Sequence, residues 1–159
     1  MTRVGITGHR GLDHGTTTLV DAAIRQALRR YAGSPLVGVT CLADGADSLF
    51  GQAVLDRGGR LEVIVPAAEY RDALPAEHHD SYDRLLAQAG AVHRLDFVAS
   101  TAEAHLAASL RMLAMVTELL AVWDGQPARG YGGTADVVAA ARARSVPVHV
   151  LWPAGAVRT

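Results

Sequence analysis

The chain has 159 residues with 15 basic and 16 acidic side chains, and all the basic residues are arginine. The absence of lysine excludes a Walker A site, a protein-kinase site and Schiff-base chemistry, because each needs a lysine amine. A single cysteine, Cys41, excludes internal disulfides and cysteine-rich zinc sites, and a net charge of −1 argues against broad electrostatic binding to duplex DNA or to anionic membranes.

Short apolar runs alternate with helical patterns along the chain. In chain order, strands are predicted at residues 3–7, 36–41, 61–65, 91–95, 119–123 and 146–151. Helices are predicted at residues 17–31, 47–57, 81–88, 101–118 and 134–144, and residues 67–80 are predicted to be irregular. This pattern predicts an α/β protein with a three-layer α/β/α, Rossmann-like, doubly wound parallel sheet of about six strands in the order 3-2-1-4-5-6.

The length and the hydropathy pattern also limit how the chain can be organised. The length is close to the ~100–150 residues usual for one domain, so residues 1–159 are expected to form a single domain. No run of about 18 apolar residues occurs, and the first residues show a strand pattern without the pattern of a signal peptide. We therefore expect a cytoplasmic protein with no membrane association.

Ligands of such sheets bind beyond the carboxyl ends of the strands at the switch point, here expected between strands one and four. The loop after strand one reads Thr7-Gly8-His9-Arg10-Gly11. Gly8 would let a ligand approach the backbone, and Arg10 offers a fork of donors for phosphate or carboxylate. The alternative is a tight turn with a solvated arginine, and the glycine spacing is not that of an NAD site.

The loop after strand two reads Asp44-Gly45-Ala46-Asp47 and leads into a helix. Its small residues would let a ligand approach the helix N-terminus, where N–H groups favour anions. The two aspartates either cap the helix or accept hydrogen bonds from ribose hydroxyls or a base edge.

The loop after strand five contains the strongest local signal. It begins with Trp123-Asp124-Gly125 and ends with Gly132-Gly133-Thr134, directly before a helix. Glycines at a helix start expose backbone N–H groups to an anion, although a long flexible loop is the alternative. We predict no metal site, because the adjacent histidines in Glu77-His78-His79-Asp80 would point apart and the segment fits a solvated loop.

Together these loops resemble the SLOG superfamily, which includes the LOG phosphoribohydrolases, the DNA-processing DprA proteins and the YspA/YpsA-like proteins. The resemblance covers nearly the whole chain and rests on Gly45-Ala46-Asp47, Arg111-Met112, Trp123-Asp124-Gly125, Gly133-Thr134 and the closing strand from Pro147 to Leu151. It implies a Rossmann-like fold that binds nucleotides or nucleotide derivatives, often as a sensor, and commonly a homodimer.

The resemblance also raises the question of catalysis. LOG enzymes cleave the N-glycosidic bond of nucleoside monophosphates with an arginine in an R-K-x-x-M segment and a glutamate in P-G-G-x-G-T-x-x-E. Here Arg111 and Met115 match, Met112 replaces the lysine, and the glutamate position falls on Val137, one place after Asp136. Valine can neither activate water nor stabilise an oxocarbenium-like transition state. The resemblance thus implies Arg111 and Asp136 as candidate catalytic residues, and the missing glutamate argues against catalysis.

The position of Arg111 depends on where its helix begins. A helix that starts near Thr101 places Arg111 about 15 Å along the axis and out of the site. A helix that restarts near Ala108 places Arg111 in the first turn, where it can face a phosphate. The resemblance favours the second placement.

We therefore hypothesise a nucleotide-binding protein with no certain cofactor. The Gly8–Gly11 loop, the Gly132–Thr134 loop and the side chain of Arg10 would hold a phosphate. Ribose hydroxyls would bind to Asp44, Asp47 or Asp124. A nucleoside-monophosphate N-glycosidase is the alternative, and DprA-like binding of single-stranded DNA is disfavoured by near-neutral charge and few aromatic residues.

Overall fold

The computed structural model describes residues 1–158. The strands are β1 (Thr2–Gly8), β2 (Leu36–Thr40), β3 (Arg60–Ala67), β4 (Ala91–Phe97), β5 (Glu118–Val122) and β6 (Val148–Leu151). The helices are α1 (His14–Leu28), α2 (Ala46–Asp56), α3 (Tyr70–Ala73), α4 (His79–Ala87), α5 (Ala102–Leu113) and α6 (Thr134–Ala143). The segment predicted to be irregular therefore contains the short helix α3 and the start of α4.

All six strands pair in parallel in one sheet, which confirms the predicted fold class. The order is β4-β3-β2-β1-β5-β6. The predicted neighbour of strand one was strand four. Instead β5 lies beside β1, and β4 forms an edge next to β3. The switch point is therefore between β1 and β5.

The difference in burial between β4 and β5 explains why β5 lies beside β1 and β4 lies at the edge. In β4, covered residues alternate with exposed ones such as Arg94 and Asp96, as expected for an edge strand with one face in water. In β5, every residue after Glu118 is buried, so the strand needs neighbours on both sides and helices on both faces. Polar residues within a predicted strand were the sequence signal for an edge.

Helices cover both faces of the sheet. On one face, α1 and α2 bury Val20, Ile24 and Phe50 against β1 and β5. On the other face, α5 and α6 bury Met112 and Val137 against β2 and β5. Both packings bring helix N-termini to the carboxyl edge of the sheet, as in other doubly wound folds. Within residues 1–158, no helix is both long enough and apolar enough to span a bilayer.

Candidate functional site

A cleft of about 500 Å³ lies at the carboxyl edge of the sheet. It is bordered by the loops after β1, β2, β3 and β5 and by the inner face of α5. The predicted site residues that line it are Thr7, Gly8, His9, Arg10, Asp47, Gly132, Gly133 and Thr134. The topology thus brings together residues from three of the loops singled out in the sequence.

The loops after β1 and β2 are locked to each other. The Ala46 N–H donates to the His9 carbonyl oxygen at 3.3 Å, and Arg10 Nε donates to Asp44 Oδ1 at 2.8 Å. Asp44 Oδ2 also accepts from the Gly11 N–H at 3.0 Å. Asp44 therefore neither caps α2 nor lines the cleft, because its carboxylate ties the two loops together.

The two glycines of these loops serve packing. A Cβ on Gly8 would lie 2.5 Å from the Ala46 Cβ and 2.8 Å from the Val122 Cβ. Gly8 thus permits close contact between β1, α2 and β5, and its predicted role of admitting a ligand to the backbone finds no support in this packing. Gly45 occupies the N-cap position of α2 with φ +86°, where the His9 carbonyl oxygen leaves no room for a side chain.

Asp47 is the one carboxylate among the predicted aspartates that lines the cleft. Its Oδ2 accepts from the Ala43 N–H at 3.4 Å, and within residues 1–158 no ion pair to Asp47 is formed. Burial raises the pKa of Asp47 to about 7, and neither the Ala43 N–H nor the charge of Arg10 offsets this effect. Its carboxyl group therefore changes charge near neutral pH.

An aromatic wall lies beside Asp47. The rings of Tyr70, at the start of α3, and His105, on α5, are in edge contact with centroids 5.6 Å apart. Ser100 Oγ lies 2.8 Å from His105 Nε2, and burial together with the charge of Arg10 lowers the pKa of His105. Neither aromatic residue was predicted from the sequence, because Tyr70 follows β3, for which no ligand-binding loop was predicted, and His105 lies within the amphipathic helix α5.

Cys41 also lines this part of the cleft. Burial raises the pKa of its thiol, and a protonated thiol is a poor nucleophile. The side chain therefore contributes shape and apolar surface to the cleft.

The opposite end of the cleft is cationic. Arg129 and Arg158 line it, and Arg158 Nη1 lies 3.4 Å and 3.5 Å from the two carboxylate oxygens of Asp124. The Val157 N–H donates to Thr16 Oγ1 at 2.9 Å, which returns the last described residues to the sheet edge. Arg158 was missed because about 150 residues of chain separate it from the loop of β1, and no local pattern marks it.

His9 connects this cationic end to α6. His9 Nε2 accepts from the Asp124 N–H at 3.1 Å, and Nδ1 lies 3.4 Å from Thr134 Oγ1. Burial and the charge of Arg158 lower the pKa of His9 despite the nearby Asp124. We assign His9 as a neutral imidazole with its proton on Nδ1, which positions Thr134 at the helix start.

The N-terminus of α6 borders the same end. Gly133 is its N-cap residue, and no side chain caps the first turn. Such a helix start favours an anion. Asp136 Oδ2 accepts from the Gly132 N–H at 2.9 Å, so this exposed carboxylate holds the glycine loop and does not line the cleft.

Arg111 lies away from the cleft. Thr101 caps α5 through the Ala104 N–H, so the helix runs without a restart and Arg111 falls in its last turn, exposed. From Ala102 the distance along the axis is about 14 Å. The placement favoured by the resemblance is therefore not the one observed, whereas Met112 and Val137 do line the cleft.

The remaining predicted residues stabilise the loop after β5. Trp123 Nε1 donates to the Gln126 carbonyl oxygen at 2.8 Å, and Arg142 packs over the indole ring at 5.9 Å from its centroid. Asp124 accepts from the Gln126 N–H at 3.0 Å, and Gly125 has φ +82° in this turn. None of these three residues lines the cleft.

The histidines of the segment Glu77–Asp80 have structural contacts. His78 Nε2 lies 3.0 Å from the Leu42 carbonyl oxygen, and His79 Nε2 lies 3.0 Å from that of Leu74. The segment is therefore bonded to the fold, which corrects its interpretation as a solvated loop. No group of three histidine, cysteine or acidic side chains within residues 1–158 is arranged to hold a metal ion.

Comparison with known proteins identifies the fold. No protein-family model matches the chain, and no curated protein matches it significantly in sequence. Solved structures do match. DNA processing protein A (DprA) from Streptococcus pneumoniae gives a TM-score of 0.66 at 17% identity, over 94% of this chain and 50% of that one. The chain thus spans about half the length of this relative.

Two molybdenum cofactor proteins are also similar. The binding protein from Rippkaea orientalis gives a TM-score of 0.59 at 13% identity, over 94% of this chain and 75% of that one. The carrier protein from Chlamydomonas reinhardtii gives 0.58 at 16% identity with the same coverage. These similarities confirm the Rossmann-like α/β fold that the sequence predicts.

Proposed function

We propose that the cleft binds a nucleotide or a nucleotide-derived small molecule, and that the chain acts as a sensor or carrier of it. One observation carries the proposal: the two ends of the cleft differ in chemistry. Over β1 and β5 lie Arg129, Arg158 and the start of α6. Over β2 and β3 lie the rings of Tyr70 and His105. A molecule with an anionic group and a flat ring matches both ends.

The phosphate would be held by arginine forks and by backbone N–H groups. Both are strong donors to phosphate oxygens, and a chain without lysine has no other cationic group of high pKa for this purpose. A volume of about 500 Å³ falls within the range of ~300–1,000 Å³ usual for small-molecule sites. Small-molecule binding in this fold is also consistent with the names of the two molybdenum cofactor proteins.

Gly133→Glu is expected to abolish nucleotide binding, because it places a carboxylate at the start of α6. Gly133→Gln is the matched control, since either side chain meets the Ala128 Cβ, 2.9 Å from where a Cβ would lie, but glutamine adds no charge. Calorimetric titration with mono- and dinucleotides, guided by mass spectrometry of any co-purified ligand, measures both variants. Wild-type affinity in Gly133→Glu, or no nucleotide bound by the unmodified protein, would overturn the proposal.

Arg158→Gln is expected to weaken binding of a nucleoside monophosphate by about 10-fold to 100-fold, the range for a hydrogen bond between charged groups. Arg111→Gln is the control, because this arginine is exposed in the last turn of α5 and does not line the cleft. The reverse ranking of the two variants would contradict the proposed binding mode.

N-glycosidase activity is the alternative function, but the positions of its two implied catalytic residues do not support it. Arg111 and Asp136 both lie outside the cleft. If the protein releases free base from AMP and Arg111→Ala abolishes this release, the N-glycosidase alternative would be supported. Single-stranded DNA binding is named for DNA processing protein A from Helicobacter pylori, which is 18% identical, and a gel shift with single-stranded DNA at low salt tests it here.

A further inference from the structure

The carboxyl group of Asp47 is in an unusual position for a cleft residue. It borders the cleft beside the aromatic wall, and its hydrogen bond from the Ala43 N–H is long, at 3.4 Å. The nearest guanidinium, that of Arg10, is already bonded to Asp44 at 2.8 Å. An ionised carboxylate has about four acceptor sites, so the protein leaves most of the acceptor capacity of Asp47 to a ligand.

The place of Asp47 in the cleft suggests which part of a ligand meets it. Asp47 follows β2, on the side of the cleft with Tyr70 and His105, whereas Arg158 and the start of α6 lie over β1 and β5. A ligand whose phosphate lies at the cationic end therefore directs its ring towards Asp47. A ring edge fits this position better than a ribose, which connects the two ends.

Heterocyclic rings differ in the hydrogen-bond donors that their edges present to a carboxylate such as that of Asp47. A pyrimidine ring with a 2-amino group beside an N–H and a 4-oxo group (in pyrimidine numbering), as fused in guanine or a pterin, presents two adjacent donors, which match the two oxygens of a carboxylate. Adenine presents one donor beside an acceptor, and the acceptor meets an ionised oxygen unfavourably. Paired donors on paired oxygens form the bidentate geometry that gives the most specific recognition.

We propose that Asp47 selects a ligand with a 2-amino-4-oxo ring, of the guanine or pterin type, by accepting both of its adjacent N–H groups. The proposal rests on the proposed function, because it assumes that a phosphate-bearing ring compound occupies the cleft. Beyond the proposed function, it specifies the class of ring in the ligand and the residue that recognises this ring.

If the Asp47 carboxylate accepts two N–H groups of the ligand, the affinity depends on pH, and the direction of this dependence can be predicted. The free carboxyl is half-protonated near pH 7 because it is buried, and two donors hold it ionised in the complex. Affinity for a donor–donor ring therefore rises as pH increases from about 6 to about 8, with proton release on binding. A donor–acceptor ring would select the protonated form and show the opposite trend.

Other titratable groups near Asp47 are known and can be controlled. Arg10 and Asp44 face it from the β1 and β2 loops, and Cys41, Tyr70 and His105 line the surrounding cleft. Cys41 and Tyr70 do not titrate between pH 6 and pH 8, because burial raises the pKa values of both side chains. His105→Gln tests the one histidine among them.

The experiment titrates the full chain with GMP, AMP, XMP and a pterin monophosphate by calorimetry at several pH values. We expect GMP or the pterin to bind at least about 10-fold more tightly than AMP, the size of one bidentate base contact. The better of the two identifies the source of the ring. Affinity should rise with pH, and His105→Gln should keep this response.

Asp47→Asn provides a test by reversal. Asparagine offers one donor and one acceptor, which complement the N1–H and C2 carbonyl of xanthine, so GMP should lose affinity and XMP should gain it. The pH response should shrink to the part contributed by the ligand phosphate, whose second pKa is about 6. Binding of AMP as tight as GMP, or an unchanged ranking in Asp47→Asn, would overturn this proposal while the proposed function stands. Binding of none of the four probes would also overturn this proposal, and the proposed function falls with it only if the wider series of mono- and dinucleotides fails to bind as well.

Discussion

Asp47→Asn and wild type are compared without ligand by their free energies of unfolding. We expect this difference to favour the variant by about 2–3 kcal/mol more at pH 8 than at pH 5. The pKa of Asp47 is raised by burial to about 7 in the folded protein, whereas in the unfolded chain it returns to its ordinary value near 3.8. Between these values the folded state binds the additional proton. The free energy of unfolding therefore falls as pH rises through this window.

Asparagine does not titrate, so the free energy of unfolding of the variant does not fall with pH in this way. For a chain of this size the difference corresponds to roughly 5–10 °C in thermal midpoint between the two pH values. Other groups with shifted pKa, such as His9, are common to both proteins and cancel in the comparison. Thermal unfolding followed by circular dichroism at pH 5 and pH 8 measures the effect.

Asp72→Asn is the matched control for this prediction. Asp72 is an aspartate on a helix, but its side chain is 82% exposed and its pairing to Arg71 is long, at 3.8 Å. The variant should follow wild type at both pH values. Parallel stability curves for Asp47→Asn and wild type would show that Asp47 ionises as freely as a surface aspartate.

Gly45→Ala is expected to destabilise the protein by about 3 kcal/mol or more and to abolish ligand binding. Gly45 has φ +86° and ψ −132°, a backbone conformation that costs other residues ~1–3 kcal/mol. In addition, a Cβ would lie 2.6 Å from the His9 carbonyl oxygen and 3.1 Å from the Arg10 Cα. These are backbone atoms, so relief requires the β1 and β2 loops to separate.

Separation of the loops would also break the hydrogen bond from the Ala46 N–H to His9, and it would displace Arg10 and Asp47 together. Gly58→Ala is the control, since Gly58 has φ +74° but open space around the added Cβ. It should cost only about 1 kcal/mol, from the backbone conformation. Equal urea midpoints for the two variants would contradict the proposed tight contact between the loops.

Several features of the site follow from the sequence because they depend on local patterns. Apolar runs that alternate with amphipathic helices specify a parallel sheet, and parallel strands place all their carboxyl ends at one edge. That is why the loops containing His9, Asp47 and Thr134 could be assigned to one site before any coordinates. The resemblance of four short motifs and the closing strand to the SLOG superfamily added the expectation of a nucleotide-type ligand.

Other features depended on contacts between distant residues. The place of β4 at the edge is set by which strand buries both faces, and the direction of Arg111 by a helix that runs unbroken from Thr101. Asp44, in the loop after β2, and Asp47, in the first turn of α2, lie only three residues apart, yet Asp44 pairs with Arg10 and Asp47 lines the cleft. Which side such a short segment presents is decided by its packing, here by Gly8 and Gly45, which allow close contact between the end of β1 and the start of α2.

By itself, the sequence determined the class of the sheet, the edge at which the site lies, and the exclusion of every chemistry that requires lysine. Only the tertiary structure decided which side chains form the cleft. Arg158, Tyr70 and His105 come from segments far apart in the chain, and nothing local marks them. The physical reason is that periodicity and turn residues encode each element and its ends, whereas side chains from separate elements meet only after the sheet order and the helix packing are established.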